Sequence, residues 1–302
     1  MPETLPSTPL SNKIPRQRAG DFTRVARVPY LNSAPFFEGL ALGDGYLLTD
    51  AVPSELGRRA GAGEVDAGLL PLLDYLRLKE TFGRLGHFGI AVHGRARSVM
   101  LFSCKPIRQL EGAVIAVTEE TSTSAALLRL LLEKRYKVTP AAYEQRMHKE
   151  KREAVKPVTA ERRRHPEADA LLLIGDEALR FRQTNRQYPF EIDLAFEWWL
   201  WQHLPCVFAV WAARKALAAQ DGKLLEASLA KALAVNTRRF AAIAEARATA
   251  LGIPAAELSA YLTGFRYRFG PEEEAGIKKF EELIAQHGLI GHGYGSHLLR
   301  GH

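Results

Sequence analysis

The stretch Ala113-Val114-Ile115-Ala116-Val117-Thr118-Glu119-Glu120-Thr121-Ser122-Thr123-Ser124-Ala125-Ala126-Leu127-Leu128-Arg129-Leu130-Leu131-Leu132 decides how the chain is read. Its opening residues form a compact, β-branched apolar run, which predicts a buried strand. Leu127, Leu128, Leu131 and Leu132 then recur at three-to-four spacing, which predicts a helix with one apolar face. Between the two stand four consecutive hydroxyl side chains, Thr121 to Ser124. A helix start leaves backbone N–H groups unpaired and carries the positive end of the helix dipole, so it accepts a capping hydroxyl or an anion. One hydroxyl is enough to cap, and in open α/β sheets ligands bind at the carboxyl ends of the strands. Taken alone, the stretch fits a capped helix and an anion site equally well.

Upstream, the same grammar repeats. Phe22 to Val28 alternates apolar and basic residues, and Pro29-Tyr30-Leu31-Asn32-Ser33-Ala34-Pro35 breaks it before a short helix carrying Phe36, Phe37 and Leu40. Tyr46 to Val52 and Val65 to Leu70 read as strands, followed by helices from Pro53 to about Gly61 and from Leu72 to Leu78. This βαβα rhythm predicts parallel strands with right-handed crossovers. Phe88 to Val92 and Ser98 to Ser103 read as two more strands about the polar turn His93 to Arg97.

Downstream, Tyr136 to Ala142, Ala168 to Ile174 and Ile192 to Phe196 read as strands, then Cys206 to Trp211, then an almost wholly helical segment from Arg214 to about Ile290. Those helices need a sheet face to cover, and the first α/β unit supplies one. The expected fold class is therefore α/β, in two lobes with a ligand cleft between them and a helical C-terminal segment packed on the first lobe. The predicted boundaries are 1–21 as a tail, 22–105 plus 208–292 as a discontinuous first lobe, 106–207 as the second lobe, and 293–302 as a tail.

Composition sets the outer limits. A chain of 302 residues with 47% hydrophobic and 25% charged content accommodates two globular domains without disulfide or metal staples. Lys and Arg outnumber Asp and Glu by 41 − 34 = +7, which favours anionic small molecules or, less specifically, nucleic acid. The basic segment Glu144 to Glu167 has no interleaved aromatics and reads as a solvated helical face, so no nucleic-acid partner is expected. No run approaches the ~20 apolar residues of a membrane span. The first twenty residues lack the apolar core of a secretory signal, so the expected location is cytoplasmic, away from membranes.

Cys104 and Cys206 have no paired or His-flanked spacing, and His87 and His93 have no third ligand at metal spacing, so no metal is expected. Gly39, Gly43 and Gly45 make no dinucleotide fingerprint and no GxxxxGK[ST] word occurs, so no cofactor is expected. Trp198, Trp199 and Trp201 read as core or lobe-interface packing. The expected assembly is a monomer or a homodimer.

Two α/β lobes joined near Ser103 to Pro106 and Pro205 to Trp211 resemble the type II periplasmic-binding-protein architecture. Five words narrow the resemblance: Val28 to Pro35, Ser98 to Ser103, Thr121 to Ser124, Leu172-Leu173-Ile174-Gly175-Asp176-Glu177-Ala178-Leu179, and Leu204 to Arg214. In this order they resemble the chorismate dehydratases of the futalosine route to menaquinone, over about residues 22 to 290. A sister family, the dihydroxynaphthoate synthases, shares the fold but has a different first word, and the Tyr30-Leu31-Asn32 form favours the dehydratases. The rival reading is a solute-binding protein for a small carboxylate, because a fold alone does not separate binding from turnover.

The resemblance implies loss of water from chorismate, a dianion, to give 3-enolpyruvylbenzoate, with the substrate's own enolpyruvyl carboxylate taking the proton. It implies that Thr121, Ser122, Thr123 and Ser124 hold one carboxylate from the second lobe, that Tyr30, Ser54 and Ser98 contact the ligand from the first, and that Asn32 donates to the leaving hydroxyl or the developing charge. Gly175 would let the backbone approach the ligand. Asp176 is the one protein carboxylate among these words placed to act as a base; its structural reading is a cap on a helix starting at Glu177.

Overall fold

The computed structural model describes residues 22–119, 121–146, 168–217 and 219–291. The two expected tails and most of the basic segment lie outside the described residues. The chain opens with β1 (Thr23–Arg27), a 3-10 turn (Leu31–Ser33), α1 (Ala34–Phe37), β2 (Tyr46–Asp50), α2 (Pro53–Gly61), β3 (Ala67–Pro71), α3 (Leu72–Leu78) and β4 (Phe82–Val92). There follow β5 (Val99–Ser103), β6 (Val114–Thr118), α4 (Thr123–Arg129, continuing as a π-helix over Leu130–Tyr136), β7 (Ala142–Arg146), β8 (Ala170–Ile174), α5 (Gly175–Thr184), β9 (Phe190–Asp193) and α6 (Leu194–Gln202). The last part is β10 (Cys206–Arg214), α7 (Ala219–Asn236), α8 (Phe240–Leu251), α9 (Ala255–Thr263), β11 (Phe265–Arg268) and α10 (Pro271–Gln286).

The strands form two sheets, one in the order β11-β4-β10-β3-β1-β2 and the other in the order β7-β6-β8-β5-β9. Pairing β1 with β2 and with β3 is parallel, as the βαβα rhythm predicts, but β10 returns antiparallel between β3 and β4, so the first sheet is mixed. In the second sheet β6 pairs in parallel with β7 and β8, while β5 runs antiparallel to β8.

Sheet membership divides the chain differently from the expected boundaries. β5 pairs with β8 and β9, so the chain leaves the first sheet after Val92, and the return strand β10 begins at Cys206. The turn after β4 looks like a hairpin in sequence. Its backbone is instead held by the second lobe: the Asp193 carboxylate accepts from Ala96 N at 3.2 Å and Arg97 N at 2.7 Å. The same carboxylate caps α6 by accepting from Ala195 N and Phe196 N, which ends β9 at Asp193 rather than at Phe196.

Two other elements differ from expectation. Helical structure runs on to Tyr136 and is stopped by Lys137 in the left-handed region (φ 58°), so the strand expected over Tyr136 to Ala142 begins only at Ala142. The C-terminal segment contains β11, whose buried Phe265 and Tyr267 alternate with exposed Arg266 and Arg268 as it joins the edge of the first sheet beside β4. That period-two pattern is short and lies among helices.

The apolar face predicted for α4 is the core of the second lobe: Leu127, Leu128, Leu131 and Leu132 are all fully buried. Each contributes about 1.5–3 kcal/mol relative to exposure. In the first lobe Phe36 packs edge-on against Trp211 at 5.8 Å and Tyr267 at 5.7 Å, anchoring the turn after β1 on the sheet beneath it. Trp198 is buried, and its indole N–H donates to the Pro205 carbonyl, the structural role its sequence context predicts. Among the described residues no helix is long and apolar enough to cross a membrane.

Candidate functional site

The turns that follow β1, β2 and β3 in the first sheet meet the turns that follow β6 and β8 in the second, and hydrogen bonds join them. Leu31 N donates to Asp176 Oδ1 at 2.9 Å, and the Ser54 hydroxyl donates to the Glu119 carbonyl at 2.8 Å. Leu73 N donates to Thr123 Oγ1 at 3.1 Å, and the Ser122 hydroxyl donates to Asp74 Oδ2 at 2.6 Å. The sequence-predicted residues Tyr30, Asn32, Ser54, Thr121 to Ser124, Gly175 and Asp176 all lie on these turns or in the first turn of the helix that follows.

The four hydroxyls divide their work. Thr121 Oγ1 accepts from Ser124 N at 3.2 Å, which is a helix-capping bond. Ser122 and Thr123 instead reach across to α3. Because Thr123 Oγ1 accepts from Leu73, its own proton is left to be donated elsewhere, whereas the Ser122 proton is committed to Asp74. All four residues are buried.

Asn32 is the middle residue of the 3-10 turn, half-buried between buried Leu31 and Ser33. Ser33 fixes that turn, since its hydroxyl lies on the Val28 and Tyr30 carbonyls. The Asn32 amide makes no hydrogen bond among the described residues, so its donors and acceptor are held in place by their backbone and not by a side-chain partner.

Ser98 departs from expectation. It stands immediately before β5 of the second sheet and so belongs to the second lobe and not to the first; it is fully buried, and its hydroxyl oxygen accepts from Tyr261 of α9 at 2.8 Å. Burial pushes the Tyr261 phenol well above its ordinary range, the bond with Ser98 opposes this, and the charges of Asp176 and Asp193 add to the rise. Tyr261 is therefore a neutral donor beside this end of the site.

Asp176 does not cap its own helix. α5 begins two residues earlier than expected, at Gly175, with no side-chain cap at its N-terminus, and the Asp176 carboxylate is turned across the seam to Leu31 N. Gly175 has φ +59°, its N–H donates to the Ser98 carbonyl, and the backbone there approaches the Tyr30 ring of the other lobe. The glycine thus serves a contact between two protein surfaces.

One residue that sequence reasoning missed is Asp74, inside the apolar helix Leu72–Leu78. It is 1% exposed and lies 3.2 Å from Arg77 Nη1. Burial pushes its carboxyl up to about 6, against the opposing pull of the Ser122 hydroxyl and Arg77. A lone carboxylate between Leu72, Leu73 and Leu76 is the signal that could have found it. Among the described residues no group of three or more His, Cys, Asp or Glu side chains is arranged to hold a metal.

Residues 23–286 match a protein family described as menaquinone biosynthesis. The chain is 34% identical over 269 residues to chorismate dehydratase of Thermus thermophilus, covering 84% of this chain and 92% of that one. Among solved structures, an Archaeoglobus fulgidus protein is similar over 88% of this chain and 97% of its own, with a TM-score of 0.68 and 20% identity. The MOPS-bound alkanesulfonate-binding protein of Xanthomonas axonopodis pv. citri is similar over 93% and 99%, with a TM-score of 0.64 and 13% identity. These two likenesses are of fold, and the fold is that of the periplasmic binding proteins.

Proposed function

The chain belongs to the menaquinone biosynthesis family, and from that membership we propose that it is a chorismate dehydratase, a carbon–oxygen lyase that removes water from chorismate to give 3-enolpyruvylbenzoate. The observation that carries this reading is the 34% identity to a chorismate dehydratase across 84% of the chain, beside a family match over residues 23–286 that takes in both lobes and every turn of the site.

The chemistry suits the residues. The proton on the ring carbon bearing the enolpyruvyl ether is vinylogous to the ring carboxylate, so its removal spreads charge onto that carboxylate. Hydroxide then leaves the neighbouring carbon, takes up the proton as water, and the ring becomes aromatic. Aromatisation supplies much of the driving force, so the site has chiefly to orient a dianion and stabilise spreading charge. Neutral donors at helix starts bind carboxylates without titrating the substrate's own groups. In this reading one carboxylate is received at the turn Thr121 to Ser124, by the backbone N–H groups there and the free proton of Thr123. Asn32, unengaged by the described protein groups, donates in this reading to the leaving hydroxyl or to the developing charge.

The base in this reading is the substrate's enolpyruvyl carboxylate. Asp176 accepts from Leu31 N, a bond that makes it a strut between lobes. The direct test is to incubate the purified protein with chorismate and follow the aromatic ether by absorbance. Steady turnover is expected; tight, reversible binding without product would replace the enzyme with a carboxylate-binding protein.

A further inference from the structure

We propose that Asp74 is a positioning residue of this site: it takes the Ser122 proton across the seam and so fixes both the orientation of the Thr121 to Ser124 turn and the closed arrangement of the lobes. The proposal rests on the dehydratase reading for its kinetic consequences but not for its structural ones.

The geometry is that of a two-point clasp. Adjacent residues of α3, Leu73 and Asp74, bond adjacent residues at the start of α4, Thr123 and Ser122, at 3.1 and 2.6 Å. Two bonds from one dipeptide to another fix rotation as well as distance, which a single contact does not. The short second bond is charge-assisted and so stronger than a neutral one. The surroundings are shaped for the carboxylate: a β-carbon at Gly57 of α2 would lie 2.3 Å from Asp74 Oδ2, so α2 presents a glycine where any side chain would displace it. Arg77, itself 8% exposed, lies 3.2 Å from the other oxygen and balances the charge behind a turn that has to face an anion.

A carboxylate in this place is a cost to the fold. Burial raises the free energy of its charged form, and a buried ion pair is weak evidence of stabilisation. The cost is set against one specific contact: with Arg77 on Oδ1, the other oxygen, Oδ2, is turned to the anion-facing turn and held by Ser122. With the Ser122 proton drawn to Asp74, Ser122 offers the ligand its backbone N–H, and the hydroxyl donor falls to Thr123.

The test uses the full chain and the variants Asp74→Asn, Ser122→Ala, their combination, and Gly57→Ala, which disturbs the clasp without altering either partner. An asparagine keeps its oxygen toward Arg77 and so turns an NH₂ toward Ser122, reversing the polarity of that bond at constant volume. The expected result is a fall in kcat/KM on the order of tenfold in each single variant, the size of one lost charge-assisted bond. The double variant should be no worse than either parent, the Tm of Asp74→Asn at pH 7.5 should not fall below that of the wild type, and small-angle scattering without ligand should show a larger radius of gyration. Wild-type kcat/KM in Asp74→Asn, multiplicative losses in the double variant, or losses that follow Tm would overturn the proposal. Absence of chorismate turnover in the wild type would count against the dehydratase reading alone. In that event scattering decides the clasp, an unchanged profile in Asp74→Asn refuting it and an expanded one upholding it.

Discussion

Gly175 lies so close to Tyr30 that a β-carbon placed on it would sit 2.8 Å from a carbon of the ring. Its φ of +59° adds a second demand that an L side chain meets poorly. Gly175→Ala should therefore lose roughly 1–2 kcal/mol of stability. It should also raise KM, because Tyr30 neighbours Asn32 and has to shift. Thermal melts and initial rates on one preparation check both; an unchanged KM would detach Tyr30 from the substrate.

Asn32→Ala removes a side chain that carries no structural bond among the described residues. Folding should be untouched, with a melting curve that overlays the wild type. Turnover of chorismate should drop on the order of 100-fold, the cost of one donor lost from developing charge. A variant that keeps its rate would remove Asn32 from the chemistry.

Asp176→Asn keeps an oxygen for Leu31 N while removing the basic group. If the substrate supplies the base, the rate stays near that of the wild type, and Asp176→Ala, which loses the strut, falls further than Asp176→Asn. A collapse of kcat in Asp176→Asn with unchanged KM would make this carboxylate the base instead.

Asp74 gives the fold a pH dependence of defined sign. Its carboxyl is raised from an ordinary value of 3.8 to about 6, so its favourable contribution is complete below the ordinary value and is lost as pH rises through about 6. The gap corresponds to at most roughly 3 kcal/mol. Urea midpoints for wild type and Asp74→Asn should converge or reverse between pH 4.5 and 7.5, in favour of the variant at the higher pH. A constant difference across that range would show that Asp74 keeps its ordinary acidity.

How far the sequence discloses this site depends on whether the signal is local. The strand–hydroxyl–helix pattern at Ala113 to Leu132 and the turn at Tyr30 to Ser33 are local, and both appear in the expected place. The sheet that takes Val99–Ser103 is not local, because it depends on Asp193 binding the backbone of a turn 96 residues earlier. Asp74 and Tyr261 were invisible for a related reason: each is an ordinary helical residue until its partner, 48 or 163 residues away, is in place. The Asp176 side chain illustrates the limit from the other direction. Its position after a strand fits a cap, and only the approach of Leu31 diverts it.

The bond between Tyr261 and Ser98 spans 163 residues of chain, and the one between Leu31 and Asp176 spans 145. Contacts of such sequence separation have the greatest loop-closure entropy to overcome and are gained late in folding. On a ribosome the first lobe cannot complete its sheet until β10 and β11 have emerged, and Ser98 cannot meet its donor until α9 has. The site therefore comes into being with the final elements of the chain, and a nascent or truncated protein holding both anion-facing turns would still lack the arrangement that aligns them.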